Sequence, residues 1–272
     1  MVNIMKYPLN YVPYYHPSSN VFIQRNILNL IRLKKNLKIN KINVLDVGFG
    51  MGYFLFEASK RNLGLKGFGL DINKKSVFFV KKIAKKNKKE IYFEIGDGYN
   101  LPFNDHSFHI VLCSHVLEHV KEPQKILKEI YRVLKKNGEV WIGTPSKIYD
   151  SIPKLSILFK MHVTPKSHII SGFNIKEMTS MLSSVGFNII ERKYVGQFFG
   201  ILFHDVSGII GEMRGISTFK IHKREPKFDG NLMQEILFIL RRKTAKFLAM
   251  LYRLDDLLWI FNGSKLFVRG RK

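Results

Sequence analysis

The segment that most constrains this chain is Val44-Leu45-Asp46-Val47-Gly48-Phe49-Gly50-Met51-Gly52. A run of strand character meets three glycines spaced by two, and Tyr53 to Lys60 then has helical character. A strand, a tight turn and a helix start are therefore expected. Glycine lacks a Cβ and tolerates positive φ, so a turn of this kind can press bare backbone against a ligand.

The rest of the first half repeats the pattern. Ile42–Val47, Gly67–Ile72, Ile91–Ile95, Phe108–Ser114 and Glu139–Gly143 read as strands. The first is an unbroken apolar run, as expected for a strand buried on both faces of a parallel sheet. Helices are expected at 53–60, at Lys74–Lys86 with Val77, Phe78, Val80, Ile83 and Ala84 inward, and at Pro123–Leu134 with Gly138 just past the C-cap. Five alternations in 145 residues predict a doubly wound, mostly parallel sheet. Ligands of such sheets lie beyond the carboxyl ends of the strands. Gly48 to Gly52, Asp71, Asp97 and Ser114-His115 all fall there.

Outside this core the signals change. Residues 1–41 form an N-terminal segment with an amphipathic helix at Val21–Leu33, whose apolar positions are Val21, Ile27, Leu28, Ile31 and Leu37. Asn174–Val185 is a helix with Met178, Met181, Leu182 and Val185 inward, and Asn188–Tyr194 is a sixth strand. Residues 195–262 carry glycines, then a long amphipathic pattern with Arg241, Arg242, Lys243, Lys246 and Arg253 on its polar side. Ser264–Arg269 looks like a seventh strand, within a final segment at 263–272. That makes 42–194 the core and 195–262 a helical insertion before the last strand. The insertion reads either as a lid or membrane-surface helix for an amphiphilic substrate or as a helix packed on the core, and packing is the commoner use.

The 272 residues carry 45 Lys and Arg against 21 Asp and Glu, for a net charge of +24. Such a charge favours polyanions. A lysine-rich composition spread over several helices accounts for it equally well, and that reading is preferred. A single cysteine, Cys113, excludes an internal disulfide and fits a reducing, cytoplasmic setting, with peripheral contact to an anionic membrane the variant of it. No apolar run approaches the ~20 residues a membrane span needs.

The glycine turn departs from the dinucleotide pattern G-x-G-x-x-G: Tyr53 stands at the sixth position and the third glycine comes early, at Gly52. Asp46 adds a carboxylate at the strand mouth, suited to a cationic group. With these residues, Gly69-Leu-Asp71-Ile, Gly96-Asp97-Gly98-Tyr-Asn-Leu-Pro102-Phe103, Ser107-Phe108 through Glu118-His119-Val120, and Ile126 through Leu134 with Gly138-Glu139, the chain resembles class I S-adenosylmethionine-dependent methyltransferases of the type 11 subgroup. His168, Phe173, Glu177 and Gly186-Phe187 extend the likeness, which covers about residues 42–194.

The resemblance implies a Rossmann-like methyltransferase fold and a cofactor, S-adenosyl-L-methionine. Gly48, Phe49, Gly50 and Gly52 would line its amino-acid part, with Asp46 toward the ammonium. Asp71 would accept from both ribose hydroxyls, since a carboxylate suits a diol. Ile72 would pack on the adenine, Asp97 would accept from its amino group and Gly98 would allow close approach. Ser114 and His115 would lie by the methionine portion. The family usually has Asp where this chain has His109, which reads as a tolerated change at a strand start.

Glu118 and His119 look like an acid–base or metal pair, but the segment is largely structural in the family, and no metal is expected. His162 and His168 follow the fifth strand, where an acceptor would enter; His168 is the candidate base. Alignment and exclusion of water do most of the work of methyl transfer from a sulfonium, so a base need not exist. The Asn/Asp-Pro-Pro-Tyr/Phe motif of enzymes that methylate nucleic-acid amines is missing. That disfavours methylation of base amines, and the resemblance implies a small-molecule, lipid or glycan acceptor, with oxygen the expected atom. The alternative is a basic RNA- or membrane-surface-binding protein that keeps the fold with little or no catalysis.

Overall fold

The computed structural model describes residues 17–61, 63–86, 90–147, 169–195 and 265–272. Its elements are α1 (Pro17–Leu37), β1 (Ile42–Val47), α2 (Tyr53–Lys60), β2 (Leu65–Asp71), α3 (Lys74–Lys86), β3 (Ile91–Ile95), β4 (Phe108–Ser114), α4 (Pro123–Val133), β5 (Leu134–Pro145), α5 (Ile175–Val185), β6 (Asn188–Val195) and β7 (Lys265–Arg271). One seven-stranded sheet has the order β3-β2-β1-β4-β5-β7-β6. The first five strands are parallel, and β7 runs antiparallel to both β5 and β6. This is the doubly wound, mostly parallel sheet that the alternation predicts. The candidate lid at 195–262 lies outside the described residues, apart from Val195.

The central strands are apolar because both faces are covered. Leu45, Val47, Val111, Cys113, Val140 and Ile142 are buried, and Ile126, Leu127, Ile130 and Val133 of α4 belong to the same core. Fully burying such a side chain is worth about 1.5–3 kcal/mol relative to leaving it exposed. Arg132 ties α4 to the loop before β4: it donates to the Leu101 and Phe103 carbonyls and pairs with Asp105 and Glu129. Glu129 in turn accepts from the Leu101 amide at 2.9 Å. α5 begins in a capping box between Asn174 and Glu177 and ends at Gly186 in the left-handed region, φ 112°. Met178 and Leu182 are its buried residues, while Met181 and Val185 are half-buried.

Three local expectations are corrected. From residue 26 onward the buried positions of α1 are Asn26, Ile27, Asn29, Leu30 and Leu33, whereas Leu28 and Ile31 are 54% and 40% exposed; the Val21 side chain lies outside those described. The apolar residues form two stripes, and the stripe that includes two asparagines is the covered one. Phe78 points outward, 64% exposed, with the Lys82 ammonium 4.1 Å from its ring centre. Gly138 is not a helix stop. α4 ends at Val133 because Leu134 turns extended, at φ −74° and ψ 138°. Gly138 instead lies in β5, beside a register shift between Phe108 and Ile110 of β4. A Cβ there would sit 2.8 Å from the Lys135 carbonyl oxygen and 3.1 Å from that of His109.

His109 is more than tolerated. Its Nδ1 accepts the Asn43 amide at 3.0 Å, just below the first β1–β4 register pair, Val44 and Ile110. Nδ1 must then lack a proton. Burial and the Lys135 ammonium, 3.3 Å from Nε2, push its pKa down and keep the ring neutral.

Candidate functional site

The carboxyl ends of β1, β2 and β4 build the site. Gly48, Gly50 and Gly52 have φ of 69°, 57° and 68°, a left-handed conformation that side-chain-bearing residues rarely adopt. The Gly48 amide donates to the Leu70 carbonyl at 2.7 Å and that of Gly52 to the Phe49 carbonyl at 2.8 Å, which folds the turn back between β1 and β2. Their surroundings differ. A Cβ on Gly48 would lie 2.2 Å from Val116 Cγ2, so that glycine is needed for contact with the turn after β4. A Cβ on Gly50 would meet nothing within 4 Å. Gly50 therefore presents its backbone to open space. The Phe49 side chain points the other way, buried against Phe93 with ring centres 4.7 Å apart.

Asp71 closes the turn. Its Oδ2 accepts the Gly50 amide and its Oδ1 the Asn73 amide, each at 2.8 Å. A carboxylate offers about four acceptor sites, so each oxygen keeps room for one more donor. That leaves the fork a ribose diol requires. Asp46 lies beneath, 6% exposed. Burial first, and the Asp71 charge second, push its carboxyl up to about 8. Among the described residues no cation offsets them. A bound ammonium or sulfonium would.

Ile72 follows Asp71 and is 74% exposed; Ile95, at the end of β3, is 51% exposed. Both are apolar surfaces without cover where a purine face could rest. Asp97 is exposed, and its Oδ1 accepts the Tyr99 amide at 3.0 Å, which is turn chemistry. Gly98 packs tightly on the protein itself: a Cβ there would be 3.3 Å from Ile126 and 3.4 Å from Val47.

Ser114 is half-buried at the end of β4, opposite Gly143 of β5. His115 follows with φ 56°, held by its amide donating to the Gly143 carbonyl at 2.8 Å. Its Nδ1 is 3.0 Å from Glu118 Oε1. Glu118 is fully buried. Burial pushes its carboxyl up, but the hydrogen bond and charge of His115 outweigh that and hold it below the usual range. His115, Glu118 and His119 share the H-x-x-E-H spacing that binds zinc on a long helix. Here Leu117–His119 is a single 3-10 turn, and among the described residues no cluster of His, Cys, Asp or Glu could hold a metal.

His162 and His168 lie outside the described residues. Ile169 and Ile170, which follow His168, both donate to the Glu118 carbonyl, at 2.9 and 3.0 Å. Two features of the site carry no mark in the sequence motifs. One is the pairing of Glu118 with His115 rather than with its neighbour, which the i, i+3 spacing could have signalled. The other is Lys265, which opens β7 opposite Pro145 and beside Val195. Burial pushes its pKa down to about 8, against the pull of Glu118. No local pattern marks Lys265; only the antiparallel return of β7 brings it to this edge.

The fold and the site suit an α/β domain with an open glycine turn, a two-oxygen acceptor at Asp71 and a buried carboxyl at Asp46. Residues 45–142 match the family model described as a methyltransferase domain, and over this stretch the chain is similar to S-adenosylmethionine-dependent methyltransferases. The demethylmenaquinone methyltransferase of Lactobacillus johnsonii is 35% identical over 148 residues, covering 53% of this chain and 60% of that protein. The ubiquinone biosynthesis O-methyltransferase of Pelagibacter ubique is 30% identical over 138 residues, 50% of this chain and 56% of that one. The chain thus spans less than two thirds of either relative. Among solved structures, phosphoethanolamine N-methyltransferase 2 of Haemonchus contortus, crystallised with S-adenosyl-L-methionine, shares the fold with a TM-score of 0.57 at 22% identity, covering 94% of this chain and 57% of that one.

Proposed function

We propose that this chain is an S-adenosyl-L-methionine-dependent methyltransferase acting on a small-molecule, lipid or glycan acceptor, at oxygen. The observation that carries the reading is the convergence of three features at two adjacent strand ends. Gly50 offers bare backbone to open space, Asp71 keeps a free acceptor site on each oxygen, and Asp46 is a buried carboxylate without a cation. Relatives named for a quinone, an alkaloid and phosphoethanolamine support a small acceptor. Among the described residues no helix is long and apolar enough to cross a membrane; a cytoplasmic place, with or without contact to an anionic membrane face, goes with this reading.

When bound, the cofactor supplies a methyl group on a sulfonium whose leaving group is a neutral thioether. The chain's part is to bind and align. Asp71 takes the ribose hydroxyls, and Asp46 meets the positive end with a buried carboxyl that gives up its proton when a cation arrives. Ile72 covers an adenine face, and Asp97 accepts from the adenine amine through the oxygen not used by Tyr99. Gly48, Phe49 and Gly50 give backbone contact along the amino-acid part, with Ser114 and His115 near the reacting end.

Calorimetry with S-adenosyl-L-methionine tests the cofactor half. The expected result is saturable binding that weakens about 100-fold or more in Asp71→Ala, the loss of two charge-assisted hydrogen bonds. Binding that ignores Asp71 sinks the reading. Incubating methyl-labelled cofactor with the protein and a fractionated lysate tests the acceptor half: label should enter the lipid, glycan or small-molecule fraction, not nucleic acid or protein.

A further inference from the structure

We propose that His115, oriented by Glu118, is the group that takes the proton from the methyl acceptor. The inference rests on the methyltransferase reading and goes beyond it, since that reading needs no base. The geometry resembles a base held by a buried acid. Glu118 is fully buried, with Oε1 3.0 Å from His115 Nδ1 and Oε2 lacking any hydrogen-bond partner. A carboxylate accepts and cannot donate, so the His115 proton sits on Nδ1. Nε2 then carries the lone pair, and it makes no hydrogen bond among the described residues. The His115 side chain is 43% exposed, so this lone pair can reach a ligand.

The backbone supports the same conclusion. A non-glycine residue at φ 56° is uncommon, and such strain persists only where the surroundings fix it. Here the amide is held by Gly143, the next residue packs against Gly48, and the Glu118 carbonyl anchors Ile169 and Ile170. The turn thus fixes the imidazole at the carboxyl end of β4, next to the glycine turn of β1. Among the described residues, the charged and titratable groups around Glu118 are His115, His119, Cys113 and Lys265. Glu118 is a positioning residue: it fixes the tautomer and favours the imidazolium once formed.

The step balances without another reagent. The acceptor oxygen attacks the methyl carbon, the carbon–sulfur bond breaks with its electrons going to sulfur, and a carbon–oxygen bond forms. The hydroxyl proton passes to His115 Nε2. The products are a thioether, a methyl ether and an imidazolium that releases its proton to solvent.

Nitrogen-15 NMR of the histidine rings reads the dyad without any cofactor. At pH 8 in the wild type, His115 is expected to show a protonated Nδ1 and an unprotonated Nε2. In Glu118→Gln the tautomers should mix, because the amide can donate to Nδ1 as well as accept from it. Transfer of labelled methyl to the lipid and small-molecule fractions of a lysate should fall about 100-fold or more in His115→Gln, the usual contribution of a general base. Calorimetry with S-adenosyl-L-methionine on the same samples separates a lost cofactor from a lost base. A wild type that binds no S-adenosyl-L-methionine overturns the methyltransferase reading, while the NMR still reports on the dyad. A wild-type proton on Nε2, transfer by His115→Gln at the wild-type rate, or cofactor binding by the wild type without transfer to any fraction each overturns the proposal. The wild-type spectrum decides even if Glu118→Gln does not fold.

Discussion

At the scale of single residues, Asp46 is the group with the clearest conflict between environment and charge. Its folded-state pKa of about 8 stands far above the ~3.9 of an unfolded aspartate. Between these values the native state binds a proton that the unfolded chain has released. The resulting stability is fully present below about pH 4 and is lost as pH rises through about 8. Asp46→Asn removes the titration. Its melting temperature should therefore gain on the wild type as pH rises from 5 to 9, by the equivalent of a few kcal/mol, on the order of the pKa difference at 1.36 kcal/mol per unit. Parallel melting curves across that range would show that the carboxyl is not buried as described. The same substitution should weaken S-adenosyl-L-methionine, because the amide no longer supplies charge. That pairing of better alkaline stability with poorer binding is what a site built for a cation predicts.

At the scale of elements, the glycine turn separates structural from ligand-facing roles that one motif hides. Gly48→Ala places a methyl 2.2 Å from Val116 and strains the backbone at φ 69°. It should cost about 2 kcal/mol or more, read in urea denaturation. Gly50→Ala meets no atom within 4 Å, so only the left-handed strain of about 1–2 kcal/mol applies. It should fold, yet bind S-adenosyl-L-methionine poorly, because the new methyl fills space the ligand needs. Equal destabilisation of both variants would contradict this division. The motif was legible in sequence because strand, turn and helix are local events with strong composition signals. β1, α2, α3, β3 and β4 lie where periodicity and glycine placement put them. Local pattern failed where two neighbours competed for one surface. Leu28 and Leu30 are equally apolar, and only the packing decides that Leu30 is buried. Gly138 had the composition of a helix stop, but the chain turns extended at Leu134 and spends the glycine on a crowded strand. At the site, Asp71 was legible because it ends a strand. The partnership of His115 with Glu118 depends on a left-handed residue and a 3-10 turn, neither of which leaves a clear periodic trace.

At the scale of the whole molecule, the sheet must hold an antiparallel strand that arrives late in the chain between β5 and β6. The register sets Glu139 opposite Arg271 and Trp141 opposite Arg269, and Glu191 of β6 also pairs with Arg269. From that register comes a charge cluster across three strands. Glu139, fully buried, binds Arg269 at 2.6 Å and Arg271 at 2.8 Å and accepts from the Trp141 indole at 2.9 Å; Arg269 also reaches Glu191 at 2.9 Å. Burial pushes the Glu139 carboxyl up, but Arg271, Arg269 and Trp141 together hold it below the usual range. A depressed carboxyl contributes stability above the unfolded-state pKa of ~4.3 and loses it as pH falls through the folded value. Glu139→Ala should cost about 3–5 kcal/mol at pH 7, because it leaves Arg269, only 15% exposed, without its buried partner. Added salt gives the control. With a net charge of +24, screening of surface repulsion should raise the melting temperature of wild type and variant alike. The gap between them should persist, since a buried cluster is screened far less. A gap that closes between 0.05 and 0.5 M salt, at the order of those Debye lengths, would mean that Glu139 acts as one more surface charge and that β7 is held by its backbone ladder alone.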